Sequence, residues 1–135
     1  MKRILVVDDE PHVTRLVQMS LQRDGYEVET ASNGMEALTR LEADHFDAVV
    51  TDYNMPKMDG RQLCEAIRQR FAGREIFIFL VTARLEAPLR EWAEGLPSVQ
   101  YIEKPVSVQD LRRRLAKCFA PREGDAVADE EGEDG

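Results

Sequence analysis

The chain has 135 residues, of which 43% are hydrophobic and 33% are charged, a balance that suits one globular domain with a sizeable core. Its formal net charge of −8 argues against direct binding of nucleic acid or of a membrane surface, because such binders present a positive face. The apolar stretch that begins at Ile4 reaches Asp8 after only four residues. This is too short for a signal peptide or a membrane span, so we expect a cytoplasmic protein.

The first part of the chain alternates strand-like and helix-like segments. An apolar run rich in β-branched residues predicts a strand from Arg3 to Val7, and apolar residues at helical spacing predict a helix from Pro11 to Arg23. Alternating apolar and polar residues predict a second strand from Glu27 to Ala31. A second helix is predicted from Asn33 to His45, and a third strand from Phe46 to Thr51.

The second part continues the alternation. A third helix is predicted from Gly60 to Phe71, and the continuous apolar run from Ile76 to Val81 is typical of a strand covered on both faces. Apolar residues between Leu85 and Leu96 indicate a fourth helix, Val99 to Ile102 a fifth strand, and Ser107 the N-cap of a fifth helix. Five strand–helix units in succession predict an α/β fold with a doubly wound parallel sheet, since right-handed crossovers return the chain in the same direction.

From Pro121 the hydrophobic pattern stops, and the segment PREGDAVADEEGEDG is rich in Glu, Asp and Gly. Such a composition has little apolar surface to bury. We therefore expect a folded domain over residues 1–120 and a disordered acidic tail over residues 121–135. The tail either keeps the protein solvated or has a partner-binding or autoinhibitory role.

Polar residues follow four of the five predicted strands, at the point where each strand ends. Asp8 and Asp9 follow the first strand, Asp52 the third, Thr82 the fourth and Lys104 the fifth. In a parallel sheet these positions meet at the carboxyl edge, where open α/β sheets bind their ligands. Taken singly, each has a simpler explanation: a helix cap, a turn residue, a strand end or a solvated amine.

The combination of these side chains favours phosphoryl chemistry. Three carboxylates at one edge repel each other unless positive charge lies among them. Lys104 supplies one charge, and Mg²⁺, which prefers carboxylate oxygens, supplies two more. Because Mg²⁺ in proteins also binds phosphate oxygens, we predict that Asp52 is a nucleophile that forms an aspartyl phosphate, with Lys104 and Thr82 contacting the phosphoryl oxygens.

Over residues 2–119 the chain resembles the receiver domains of two-component response regulators in the type, order and spacing of its motifs. The motifs are Asp8-Asp9, the segment DYNMPKMDG from Asp52, Thr82-Ala83 and Lys104-Pro105. The resemblance implies a CheY-like, flavodoxin-like (βα)5 fold, with a five-stranded parallel sheet in the order 2-1-3-4-5.

The resemblance also implies roles for the acids and for Asn54. Asp52 would be the phosphoacceptor, receiving the group from a phosphohistidine on a sensor histidine kinase or a histidine phosphotransfer protein. Asp9, Asp52 and the backbone carbonyl of Asn54 would ligate Mg²⁺, and Asp8 would assist through a bound water. The domain would catalyse its own phosphorylation and slow dephosphorylation without being a conventional enzyme.

A conformational switch built on Thr82 and Tyr101 is a further implication of the resemblance. After phosphorylation the Thr82 hydroxyl would be drawn to the phosphoryl group, and the Tyr101 ring would move into the vacated space. Lys104 would pair with the phosphoryl group, and its bond to Pro105 is expected to be cis. The output would be the control of a downstream protein target, by a monomer or a weak phosphorylation-dependent dimer.

Two other functions fit parts of the pattern. A receiver fold that binds proteins without being phosphorylated usually lacks one of the acids, the Thr or the Lys, whereas this chain keeps them all. A phosphatase of the haloacid dehalogenase type needs a second acid two residues after the nucleophile, and that position here is Asn54. The phosphorylated switch is therefore the favoured interpretation, and the unphosphorylated binding module is the alternative.

Overall fold

This computed structural model of the chain describes residues 1–83, 87–96 and 99–120. Among these residues no helix combines the length and the apolar character needed to cross a membrane. The predicted acidic tail, residues 121–135, and Leu85, predicted to open the fourth helix, lie outside the described residues. The elements are β1 Arg3–Val7, α1 Pro11–Arg23, β2 Glu27–Ala31, α2 Gly34–Ala43, β3 Ala48–Asp52, α3 Gly60–Arg70, β4 Phe77–Thr82, α4 Ala87–Glu94, β5 Val99–Glu103 and α5 Val108–Phe119.

The five strands form one parallel sheet in the order β2-β1-β3-β4-β5, which confirms the predicted fold. The chain places β2 on one side of β1 and then crosses over to add β3, β4 and β5 on the other side. The direction of winding therefore reverses between β1 and β3. At such a reversal the neighbouring loops diverge and leave a crevice at the carboxyl edge, which is where Asp8 and Asp52 lie.

Side chains of the strands alternate between the two faces of the sheet and build a hydrophobic core on each. Leu5 and Val7 of β1 belong to the core that α2 and α3 cover, while Ile4 and Val6 belong to the core that α1 and α5 cover. The strand β3 is buried along its whole length, because β1 and β4 flank it and helices cover both of its faces. Packing therefore fixes the position of its last residue, Asp52.

Local sequence explains how two of the helices begin. The Asp59 side chain accepts a hydrogen bond from the backbone N–H of Gln62, and the Gln62 side chain accepts one from the backbone N–H of Asp59, so α3 starts with a reciprocal capping box. The Ser107 hydroxyl accepts from the backbone N–H of Asp110, which confirms the predicted cap of α5. Both caps satisfy N–H groups that a helix start otherwise leaves without partners.

The third strand begins two residues later than the sequence predicts, at Ala48 rather than Phe46. The Phe46 side chain is fully buried, which explains why its apolar character extended the predicted strand. At the next residue, the Asp47 carboxylate rather than a strand carbonyl accepts the backbone N–H of Arg3. The regular ladder between β1 and β3 therefore starts only after this side-chain bond.

Candidate functional site

Asp52 lies at the carboxyl end of the central strand. It is the last residue of β3, and only 4% of its surface is exposed. Its backbone lies in the sheet opposite Val81 of β4, so the carboxylate is held in position from both sides. A buried, immobilised carboxylate at this edge of an α/β sheet is a candidate reactive group.

Lys104 lies against the Asp52 carboxylate. The distance between Lys104 Nζ and Asp52 Oδ1 is 2.8 Å, and this contact is the main reason why the pKa of Lys104 is raised. Apart from this ion pair, the buried Oδ1 makes no hydrogen bond with the described residues. A carboxylate oxygen has more than one lone pair, so Oδ1 can accept a further ligand beside Lys104.

Three carboxylates meet at the carboxyl edge. One oxygen from each of Asp8, Asp9 and Asp52 lies within 4.8 Å of the others, and Asp9 is the exposed member. Burial raises the pKa of Asp8 to about 6; a hydrogen bond from the backbone N–H of Glu10 opposes this shift, and the charge of Asp52 adds to it. Burial and the charge of Asp52 therefore both disfavour the ionised form of Asp8.

Neither of the first two acids is the N-cap of α1. That position is Glu10, whose side chain makes no cap hydrogen bond. The Asp8 carboxylate instead accepts the backbone N–H of Glu10 at 3.0 Å. This bond holds Asp8 in the loop at the carboxyl edge, beside Asp52, rather than at the first turn of the helix.

The donors at this edge fit a hard divalent cation. Mg²⁺ prefers carboxylate oxygens and keeps waters in the remaining positions, and the cluster combines buried acids with the exposed Asp9. Asp52 Oδ1 is buried and, apart from its ion pair with Lys104, makes no hydrogen bond with the described residues, so a cation can bind it as well. Asn54 follows two residues after Asp52 in the same loop, and it is exposed. In sequence, its backbone carbonyl is therefore two residues from Asp52, a member of the cluster.

Gly60 allows the start of α3 to pack directly on the end of β3. Its backbone N–H donates to the carbonyl of Tyr53 at 2.8 Å. A Cβ atom at this position would lie 2.6 Å from the backbone oxygen of Asp52 and 2.5 Å from Cδ1 of Leu80. Both distances are too short for a real contact, so the position of the Asp52 backbone depends on a residue without a side chain here.

Thr82 and Tyr101 lie on the same face of the sheet. Tyr101 is in register with Leu80 on β4, and Thr82 is in register with Glu103 on β5; residues two apart on a strand face the same way. Thr82 is 3% exposed, whereas Tyr101 is only partly buried. The peptide bond between Lys104 and the following proline is cis, as the resemblance implies.

The hydroxyl of Tyr101 contacts the fourth helix. It donates a hydrogen bond to Glu94 Oε2 at 3.3 Å. The sequence does not predict this contact, because no local pattern connects the two residues. Gly60 is also absent from the predicted site residues, although the Asp-Gly pair at positions 59 and 60 is a signal for a turn or a helix start.

The structure brings most of the predicted site residues to one edge of the sheet, while their chemical roles stay predictions. Tyr101 is the exception, since it lies two positions back from the end of β5. The predicted residues at the carboxyl edge are Asp8, Asp9, Asp52, Asn54, Thr82 and Lys104.

Comparison with known proteins identifies relatives of this arrangement. The family described as the response regulator receiver domain matches residues 4–116. The alkaline phosphatase synthesis transcriptional regulatory protein PhoP of Bacillus subtilis is 38% identical over 115 residues, which cover 84% of this chain and 47% of PhoP. The probable transcriptional regulator ycf27 of Cyanophora paradoxa is 39% identical over 127 residues, 94% of this chain and 52% of that protein. The chain thus spans about half the length of the curated relatives it matches.

Solved structures share the whole fold. The chemotaxis protein CheY4 of Vibrio cholerae has a TM-score of 0.79 and 30% identity, covering 87% of this chain and 98% of its own. The response regulator TrrA of Thermotoga maritima, solved in complex with Mg(2+)-BeF, has a TM-score of 0.75 and 34% identity, covering 88% of this chain and 100% of its own. The fold, the acidic edge and these relatives together show that the chain belongs to the response regulator receiver domains of two-component signalling, a family that works with histidine kinases and output domains.

Proposed function

We propose that the chain is a phosphorylation-operated switch in which Asp52 accepts a phosphoryl group from a phosphohistidine on a sensor histidine kinase or a histidine phosphotransfer protein, in the cytoplasm. One observation carries the proposal: the buried carboxylate of Asp52 lies 2.8 Å from Lys104 Nζ, at the edge where Asp8 and Asp9 bring two further carboxylates within 4.8 Å. The site thus combines a buried carboxylate with a neighbouring positive charge.

The chemistry is a transfer between two protein side chains. An oxygen of the Asp52 carboxylate attacks the phosphorus atom, and the bond between phosphorus and the donor imidazole nitrogen breaks. The imidazole nitrogen keeps the electron pair of that bond, so no further reactant is needed. Lys104 then pairs with an oxygen of the transferred group, which replaces part of its contact with the aspartate.

The acidic cluster supports a bound Mg²⁺. Asp9, Asp52 and the backbone carbonyl of Asn54 would hold the ion, and Asp8 would act through an intervening water. When bound, the ion supplies positive charge that reduces the repulsion between the acids and the incoming phosphoryl oxygens. TrrA, whose similarity to this protein covers 88% of this chain, was solved in complex with Mg(2+)-BeF. This similarity supports the same ion here.

The switch would connect this chemistry to a partner. Thr82 donates to a phosphoryl oxygen, and Tyr101 moves toward the space that the Thr82 side chain leaves. A shift in the ratio of active to inactive arrangement from 1:99 to 99:1 needs roughly 5.5 kcal/mol of differential stabilisation. Several charge-assisted hydrogen bonds of about 1.5–3 kcal/mol each can supply it. The altered surface then controls a downstream protein target, as a monomer or a weak phosphorylation-dependent dimer.

Intact-mass spectrometry after incubation with acetyl phosphate and Mg²⁺ tests the proposal. The wild type should gain one phosphoryl group, and Asp52→Asn, which keeps the shape of the side chain, should gain none. Asp44→Asn, which removes an exposed acid elsewhere, should gain one like the wild type. Beryllofluoride binding, measured in parallel, serves as a stable mimic if the adduct is short-lived. A folded wild type that shows neither response would favour the unphosphorylated binding module instead.

A further inference from the structure

The hydroxyl of Tyr101 joins a strand to a helix. Tyr101 lies in β5, and its hydroxyl donates to Oε2 of Glu94 at 3.3 Å. Glu94 is the last residue of α4 and is exposed. The ring is only partly buried, so this hydrogen bond holds its polar end at the outer side of the α4–β5 interface.

The strand register shows what this bond opposes. Tyr101 and Thr82 lie on the same face of the sheet and on neighbouring strands, two positions apart in register. The fourth helix covers this face, since Leu89 and Trp92 pack on the core cluster there. A movement of the Tyr101 ring toward Thr82 would draw the hydroxyl away from Glu94. Such a movement would therefore break the bond.

We infer that Glu94 is a positioning residue that stabilises the unphosphorylated arrangement by holding Tyr101 through its hydroxyl. The inference rests on the proposed function, in which Tyr101 moves when the site is occupied. A hydrogen bond to a carboxylate is stronger than one between neutral groups, but exposure to water reduces its net contribution. Its loss should therefore shift the resting equilibrium toward the active arrangement by about threefold to tenfold. An equal gain is expected in the apparent affinity of any ligand that binds the active arrangement.

The experiment measures beryllofluoride binding at constant Mg²⁺ with 3-fluorotyrosine-labelled protein. The ¹⁹F resonance of Tyr101 reports the position of the ring, Tyr53, which directly follows Asp52, reports occupancy of the site, and Tyr26, in the segment between α1 and β2, is the internal reference. Glu94→Ala should lower the half-saturating beryllofluoride concentration by about threefold to tenfold. Glu94→Gln keeps an oxygen that accepts from the hydroxyl, so it should stay close to the wild type.

A matched control removes the same charge from the same helix. Glu91 is exposed and precedes Glu94 by about one helical turn, so Glu91→Ala reproduces the change in net charge without touching the Tyr101 contact. It should leave half-saturation unchanged. In a Tyr101→Phe background, where half-saturation is read from the Tyr53 resonance, Glu94→Ala should have no further effect, because the hydroxyl through which it acts is already absent.

The possible outcomes separate this inference from the proposed function. If the wild type binds beryllofluoride and Glu94→Ala binds it with the same half-saturation, the inference is wrong and the proposed function stands. An effect of Glu94→Ala that persists in the Tyr101→Phe background, or that Glu91→Ala reproduces, would assign the effect to charge and overturn the inference. Failure of the wild type to bind beryllofluoride would overturn the proposed function and this inference with it. Thermal melts of each variant verify that it is folded.

Discussion

At the scale of single residues, the burial of the Asp8 carboxylate lowers the stability of the fold at neutral pH. Its pKa in the folded protein is about 6, compared with the ordinary value of 3.8, and burial is the main cause. The folded state therefore holds a proton between these two pH values that the unfolded chain has lost. The contribution of Asp8 to stability is fully present below pH 3.8 and is lost as the pH rises through about 6.

Replacement of Asp8 by asparagine should remove this pH dependence. An amide of the same shape still accepts from the Glu10 N–H but never ionises, so Asp8→Asn should raise the melting temperature above that of the wild type at pH 7.5. The difference should shrink as the pH falls below about 5, because the wild-type carboxyl is then protonated in the folded state. Thermal melts from pH 4 to 8 in the presence of a chelator measure it. A difference that stays constant over this range would contradict the assigned cause.

Lys104 should separate phosphorylation from the conformational response. In Lys104→Ala the Asp52 carboxylate remains at the carboxyl edge, so part of the labelling by acetyl phosphate should remain, as measured by intact mass. The ion pair between Lys104 and the phosphoryl group is lost, and the shift of the Tyr101 ¹⁹F resonance should be lost with it. Lys117→Ala, at an exposed lysine of α5, is the control and should behave as the wild type. A full resonance shift in Lys104→Ala would exclude this role.

At the scale of elements, the contact between α3 and β3 depends on a glycine. A methyl group at Gly60 would lie 2.5 Å from a Leu80 carbon and 2.6 Å from the Asp52 carbonyl oxygen, so Gly60→Ala must push the helix off the strand. We expect it to destabilise the protein by about 1–3 kcal/mol, as overpacked cores do, and to reduce labelling of Asp52. Urea denaturation measures the stability.

A second glycine provides the matched control for this substitution. A Cβ at Gly73 would have no atom within 4 Å, so Gly73→Ala adds the same methyl group without a clash. It should change the free energy of unfolding by less than about 0.5 kcal/mol. Equal effects at the two positions would mean that backbone flexibility, rather than the close approach to Asp52, makes Gly60 necessary.

Repeating patterns predict the elements well, whereas single contacts between elements escape them. Periodicity predicts ten alternating elements, because these depend on the apolar residues of each segment. The strand order is instead an implication of the resemblance to receiver domains. The start of β3 is two residues off, since Phe46 is buried without being in the strand. The contacts of Gly60 with Leu80 and of Glu94 with Tyr101 depend on how elements approach each other. No local pattern encodes that approach.

At the scale of the whole molecule, the arginines of α5 pair with acids of the folded body. Arg112 Nε on α5 lies 2.6 Å from a carboxylate oxygen of Asp24, in the turn after α1. On the same helix, Arg114 lies 2.9 Å from Asp110. Arg113 also lies 3.1 Å from Asp110, so all three arginines of this helix are paired with acids of the body. These arginines therefore have ion-pair partners without the acidic residues that follow position 120.

Removal of residues 122–135 should therefore leave the folded body nearly unchanged. The segment offers few apolar side chains to bury, and the three arginines of α5 already have acid partners. We expect the melting temperature of the shortened chain to stay within about 2 °C of the full chain. A variant with the acids of this segment changed to Asn and Gln separates charge from length, and melts at low and high salt measure the difference. A drop of more than about 5 °C in the melting temperature would mean that the segment packs against the body. If this drop disappears in high salt, the packing depends on charge.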